Sequence, residues 1–102
     1  MNAETFEDFA IAAQAAGYDE VVERRWAPDT ELDVHAHNFD AEAVVTQGEM
    51  WLMCDGATQH LTTGDTFTIG RHVPHSERYG AQGATYWVAR RNARNCESLG
   101  NG

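Results

Sequence analysis

Basic residues are scarce: seven Lys plus Arg stand against 16 Asp plus Glu, a formal charge of −9. Binding to a phosphate backbone needs a basic patch, so this balance argues against nucleic acid as a partner. Only the end of the chain, with Arg90, Arg91 and Arg94, is locally basic. Long apolar runs are also missing, and none approaches the roughly 20 residues of a membrane-spanning helix. The N-terminal stretch is acidic rather than basic and then apolar, so it does not read as a signal peptide, and a soluble cytoplasmic protein is expected. There are two cysteines, Cys54 and Cys96, with no C-x-x-C spacing. That excludes a zinc knuckle and a dithiol redox motif and leaves free thiols as the default in a reducing compartment. At 102 residues the chain suffices for one core and one domain.

What is present is a short helical pattern followed by many strands. Thr5 and, three residues on, Asp8 form a variant capping box, and Phe6, Phe9, Ala10 and Ala13 recur at helical spacing before Gly17. The pattern predicts one amphipathic helix over about 5–16 whose apolar stripe covers an open end or face of a sheet structure, or else docks on a partner subunit. From Tyr18 the pattern becomes strand-like. EVVERRW precedes a turn at 27–30, then comes a strand from Glu31 to His37, and another from Ala41 to Thr46. Gln47-Gly48-Glu49 reads as a hairpin turn before an apolar strand, Met50 to Cys54, with Met50 to Met53 taken as buried sheet. Short strands at 59–62, 66–69, 75–79 and 85–90 complete the series, the last two divided by a glycine-punctuated turn at 80–83. Such spacing favours an all-β sandwich or barrel. Three segments result: a helical 1–17, a β-barrel over 18–91 and a disordered tail over 92–102.

The chemistry begins with His35 and His37. In a strand, residues i and i+2 share a face, so both imidazoles should project together, away from Leu32 and Val34. Two imidazoles on one face make the start of a metal site. A second stretch, GDTFTIGRHVPH from Gly64 to His75, offers a Gly-Asp turn, a β-rich run and Pro74-His75. His-x-His followed by Gly-Asp-x-x-x-Ile and Pro-His resembles the cupin superfamily over about residues 20–91, and Pro28-Asp29-Thr30 resembles the turn before that family's histidines. The resemblance implies a double-stranded β-helix, or jelly-roll barrel, in which His35, His37 and His75 converge on one divalent metal (Fe, Mn, Ni, Cu or Zn). It also implies a glutamate ligand. Counted forward from His37, that ligand is Glu42; counted back from Gly48, the position falls on Ala41, and Glu42 turns away unless a β-bulge intervenes. Both counts stand at this point.

Around these residues lie further candidates. Glu77 and Tyr79 share the face of His75 if that strand is regular and are candidate proton-moving groups. Tyr86 or Trp87 can wall the pocket, and Arg78 or Arg90 can hold a carboxylate by bidentate pairing. Asp40 is a candidate to hold an imidazole in orientation. His72 stands where the family usually has Gly; it reads either as a substrate-binding or acid–base group at the pocket mouth or as a surface turn residue. A lone strand histidine such as His60 is more often structural or solvated. The resulting reading is a metal-dependent protein acting on a small, anionic molecule, of dioxygenase or sugar-acid or oxo-acid isomerase or lyase type. The alternative is a non-enzymatic ligand sensor, with direct transcription control not expected because no DNA-binding helix pair follows the barrel. The partners expected are a small molecule and a second copy of the chain as a homodimer, with no nucleic acid and no membrane.

Overall fold

The computed structural model describes residues 5–92. It contains one helix, α1 (Phe6–Ala15), and six strands: β1 (Glu20–Trp26), β2 (Glu31–His35), β3 (Phe39–Cys54), β4 (Ala57–Thr62), β5 (Thr66–Ile69) and β6 (His75–Asn92). The helix starts where the sequence says it should. The Thr5 side chain accepts a hydrogen bond from the Asp8 backbone N–H at 3.0 Å, satisfying one of the donors a helix start leaves unpaired.

Two long antiparallel strands, β3 and β6, run beside each other over nearly their whole length, from the Phe39–Asn92 pair to the Cys54–His75 pair. One half of this ribbon is flanked by β1 on β6 and by β5 on β3. The other half is flanked by β2 on β6 and by β4 on β3. The chain thus builds two four-stranded leaflets that share the ribbon, the double-stranded β-helix expected from the motifs.

Gln47-Gly48-Glu49 is not a hairpin turn, and 80–83 is not one either. Both lie inside the long strands, where the register shifts between Val45 and Gln47 and again between Gly48 and Met50. Gly48 (φ 78°) and Gly83 (φ 71°) face each other so closely that a Cβ on Gly48 would come within 2.1 Å of the Gly83 carbonyl oxygen. The glycines therefore serve as the point at which both strands bend from one leaflet into the other. The bend also switches parity. On β3 the inward residues are Ala43 and Val45 before it but Met50 and Leu52 after it; on β6 they change from His75, Glu77 and Tyr79 to Ala84, Tyr86 and Val88.

Between the leaflets lies the core: Ala43, Val45, Met50, Leu52, Leu61, Phe67, Ile69, Tyr79, Ala84, Tyr86 and Val88. Trp51 and Met53 are only partly buried and point outward, correcting the expectation that 50–53 is buried sheet throughout. On the outside of the other leaflet, α1 lays Phe9 and Ala13 on Ala89, with Tyr18, Val21, Val44 and Trp87 around them. Asn92 ends β6, so the rest of the tail expected to be disordered, and Cys96 with it, falls outside the described residues.

Candidate metal centre

β2 and β6 bring His35 and His75 directly opposite each other. The register of β2 shifts between Leu32 and His35, so strict alternation does not hold there. Leu32 joins the inner side with His35 and His37, whereas Val34 is 70% exposed, which corrects the expectation that Leu32 and Val34 share a face opposite the imidazoles. His37 follows in the link to β3, where its carbonyl accepts the His72 backbone N–H at 2.6 Å.

The three imidazoles converge: one ring nitrogen from each of His35, His37 and His75 lies within 4.8 Å of the others. Two of the rings are fixed by backbone carbonyls. His35 Nδ1 meets the Asp33 carbonyl oxygen at 2.6 Å, and His75 Nδ1 meets that of Val73 at 3.0 Å. A carbonyl can only accept, so Nδ1 carries a proton in both rings, and Nε2 is the nitrogen turned toward Glu77 and available to an ion. An Nδ1–H donated to a backbone carbonyl is the kind of outer hydrogen bond that orients ligating histidines. Desolvation, aided by the neighbouring His35 and His75, lowers the pKa of His37 and so favours its neutral form. The donor set therefore fits a divalent transition ion.

The carboxylate beside these nitrogens is not Glu42. β3 runs in regular register from Ala41 to Val44 against both β5 and β6, with no bulge. Ala41 consequently lines the inner cavity, and Glu42 points to the outer face, where it accepts a 2.9 Å hydrogen bond from the Tyr18 hydroxyl. Glu77 occupies the inner position instead. It is 6% exposed, and its Oε2 lies 3.3 Å from His35 Nε2 and 3.5 Å from His75 Nε2. Its other oxygen accepts a hydrogen bond from Tyr79.

Together with the histidines, Glu77, Tyr86, Arg24 and Arg90 line an inner cavity of about 110 Å³. Tyr86 faces it while Trp87 packs on α1, a choice made by the parity switch at the bend. Tyr79, expected to move a proton directly, is 1% exposed and does not line the cavity; its hydroxyl donates to Glu77 instead. Burial raises the pKa of both tyrosines and keeps them as phenols. Arg90 lies over Phe39 with its guanidinium 4.9 Å from the ring centroid and stands 3.6 Å from Glu20. Its buried Nε has no hydrogen-bond partner among the described residues.

Other expected residues fall outside the site. His72 is exposed at φ 65° and does not line the cavity, so it is a surface turn residue rather than a substrate-binding group. Asp40 holds no imidazole: it accepts the Arg71 backbone N–H at 2.8 Å, which lowers its pKa and ties down the loop leading to His75. His60 stacks on Trp51 and bonds Glu49 at 2.7 Å, and Arg78 also lies over the Trp51 ring. Arg24, which sequence reasoning did not select, lines the cavity because β1 alternation places it beside Trp26 on the inner side.

This architecture and histidine cluster define a cupin superfamily domain. More narrowly, residues 17–93 match the model of the AraC-like ligand binding domain, and the chain belongs to that family. Among solved structures it is similar to an RmlC-like cupin from Shewanella frigidimarina NCIMB 400, with 29% identity and a TM-score of 0.64 over 74% of this chain and 68% of that one. KdgF from Halomonas sp. shares the fold at 19% identity and a TM-score of 0.65, over 74% of this chain and 70% of that one. A structure from a study of the DMSP lyases RdDddP and RnDddQII shares it at 22% identity and a TM-score of 0.66, covering 72% of this chain and 38% of that one. No curated protein gives a significant match.

Proposed function

We propose that this cupin is a metal-dependent protein acting on a small anionic molecule, with the metal held by His35, His37 and His75. The observation that carries this reading is the convergence of three imidazoles, two of them oriented by Nδ1–H bonds to backbone carbonyls. A bound divalent ion would supply Lewis acidity, polarising a carbonyl, carboxylate or hydroxyl oxygen of the ligand.

The rest of the cavity selects charge and size. Arg24 and Arg90 face a space of about 110 Å³, small beside the roughly 300–1,000 Å³ of drug-sized pockets, so only a compact anionic group enters fully. Arg90, held over Phe39 with an unpartnered buried Nε, is suited to receive a carboxylate through parallel N–H bonds. Tyr86 lines the same space, and burial keeps its hydroxyl protonated and able to donate to an oxygen that gains charge. A phenol beside an arginine supports the isomerase or lyase reading over the dioxygenase reading, because those reactions move a proton next to an oxygen bearing charge. The ligand-binding family supports a second reading, a sensor that binds the same anion without turnover.

The test is a panel of short 2-oxo and 2-hydroxy acids offered to metal-loaded protein, read by thermal shift and by solvent deuterium exchange at the carbon next to the carboxylate. A metal-dependent shift with exchange is expected, and Arg90→Gln should abolish the shift. A shift without exchange would favour the sensor. No shift with any acid would overturn the anionic-ligand reading.

A further inference from the structure

We infer that Glu77 is the fourth protein ligand of the centre, contributed from β6, while the β3 wall at Ala41 stays open for the ligand's own oxygen. The inference rests on the reading of His35, His37 and His75 as a metal centre and adds to it the identity of the anionic donor.

Distances carry the argument. Bonds from a transition ion to imidazole nitrogen or carboxylate oxygen are about 2.1 Å, so neighbouring donors on one ion stand about 3.0 Å apart in an octahedron and about 3.4 Å apart in a tetrahedron. Glu77 Oε2 lies 3.3 Å from His35 Nε2 and 3.5 Å from His75 Nε2, which are lengths of such polyhedron edges. Among the described residues, the group within 4.8 Å of one another comprises the histidines alone, so Glu77 must close toward His37 for all four to share one ion. The two Glu77 distances are also longer than good hydrogen bonds, and the Nδ1–H of each ring is already donated to a carbonyl. The two oxygens of Glu77 are divided in role: Oε1 accepts from Tyr79, which leaves Oε2 facing the imidazoles. Glu77 is 6% exposed, so little water reaches its charge, and a divalent ion among these donors would balance it.

The opposite wall has the complementary property. Ala41 pairs directly with Arg90 across β3 and β6, and both line the cavity. A methyl group donates nothing to an ion, so the coordination position on that side is left for a carboxylate or hydroxyl of the bound molecule, beside the guanidinium of Arg90.

The experiment is a chelator-competition titration of the full chain with Zn(II) and Co(II), on native protein, Glu77→Gln, Glu42→Gln and His75→Ala, with the Co(II) visible spectrum as second readout. Glu77→Gln should weaken both ions by about 10-fold or more and change the Co(II) bands, while Glu42→Gln should match native protein and His75→Ala should bind neither ion. Native-like affinity and spectrum in Glu77→Gln, with His75→Ala inactive in binding, would overturn the role of Glu77 and leave the three-histidine centre standing. Absence of binding by native protein would overturn both. Should Glu77→Gln fail to fold, a crystal structure of the zinc-loaded native chain decides. Glu77 Oε2 at about 2.0–2.2 Å from zinc supports the inference, and an Oε2 beyond about 3 Å contradicts it.

Discussion

Two tyrosine–glutamate pairs lie one outside and one inside the barrel. Outside, the Tyr18 hydroxyl donates to Glu42 at the edge of the helix, in reach of water; inside, the Tyr79 hydroxyl donates to Glu77 beside three histidines, with both side chains buried. The chemistry of the pairs is the same and their surroundings are not. Even the cavities beside them rank against expectation by size: the outer one, between α1 and the sheet, encloses about 260 Å³, and the inner one about 110 Å³. The outer is walled chiefly by alanines and aromatics with one carboxylate, whereas the inner gathers histidines, arginines and a phenol around a buried carboxylate. What locates function here is convergence of polar groups in a water-poor space, not volume.

The largest effect should come from the bend that creates both faces. Gly48→Ala would place a Cβ 2.1 Å from the Gly83 carbonyl oxygen, and Gly83→Ala one 2.2 Å from that of Trp26, each at positive φ. Either substitution should cost at least about 4 kcal/mol, at the extreme for single changes, and lose both pairs together, as a denaturant melt would register. Next, Phe9→Ala removes the main side chain that α1 buries. A loss of about 3 kcal/mol in chemical denaturation is expected, with metal affinity unchanged, because only the outer face is touched.

The pairs themselves separate more finely. Tyr79→Phe strips a buried carboxylate of its donor and should destabilise the metal-free protein by about 1–3 kcal/mol. Tyr18→Phe should stay within about 0.5 kcal/mol, since water replaces the lost partner of Glu42. Equal costs for the two would break the comparison. The smallest effect concerns pH. The Arg71 backbone N–H holds the folded-state pKa of Asp40 below its ordinary value, so that contact stabilises fully above the unfolded value of 3.8 and is lost as pH falls through the lower folded one. Asp40→Asn should therefore shallow the acid limb of a stability–pH curve and leave the neutral region nearly flat.

Most of the strand order could be read in the sequence, because alternation and turn residues mark where each short strand lies. His35, His37 and His75 were legible for the same reason, as was the sharing of one face by His75, Glu77 and Tyr79. What alternation cannot carry is a change of parity. The irregular register of β2 between Leu32 and His35 put Leu32 with the histidines, and the glycine bend carried Met50 and Tyr86 inward where a uniform strand would have turned them out. Glycines in a β pattern announce a turn and a bend with the same signal, so Gln47-Gly48-Glu49 read as the end of a strand rather than its middle. Glu42 posed the reverse difficulty. Counting from His37 needed a bulge to bring it inward, and the regular ladder from Ala41 to Val44 has none. The approach of Glu77 to His35 depends on how β2 and β6 pair, a tertiary fact with no local signature.

The central claim is tested most directly by elemental analysis of protein purified without chelator and then offered Fe(II), Mn(II), Ni(II), Cu(II) and Zn(II) in turn. About one divalent ion per chain, lost in His35→Ala and His75→Ala and kept in His60→Ala, is the expected result. A native chain that retains none of the five ions, or one whose metal content survives both histidine substitutions, would contradict it.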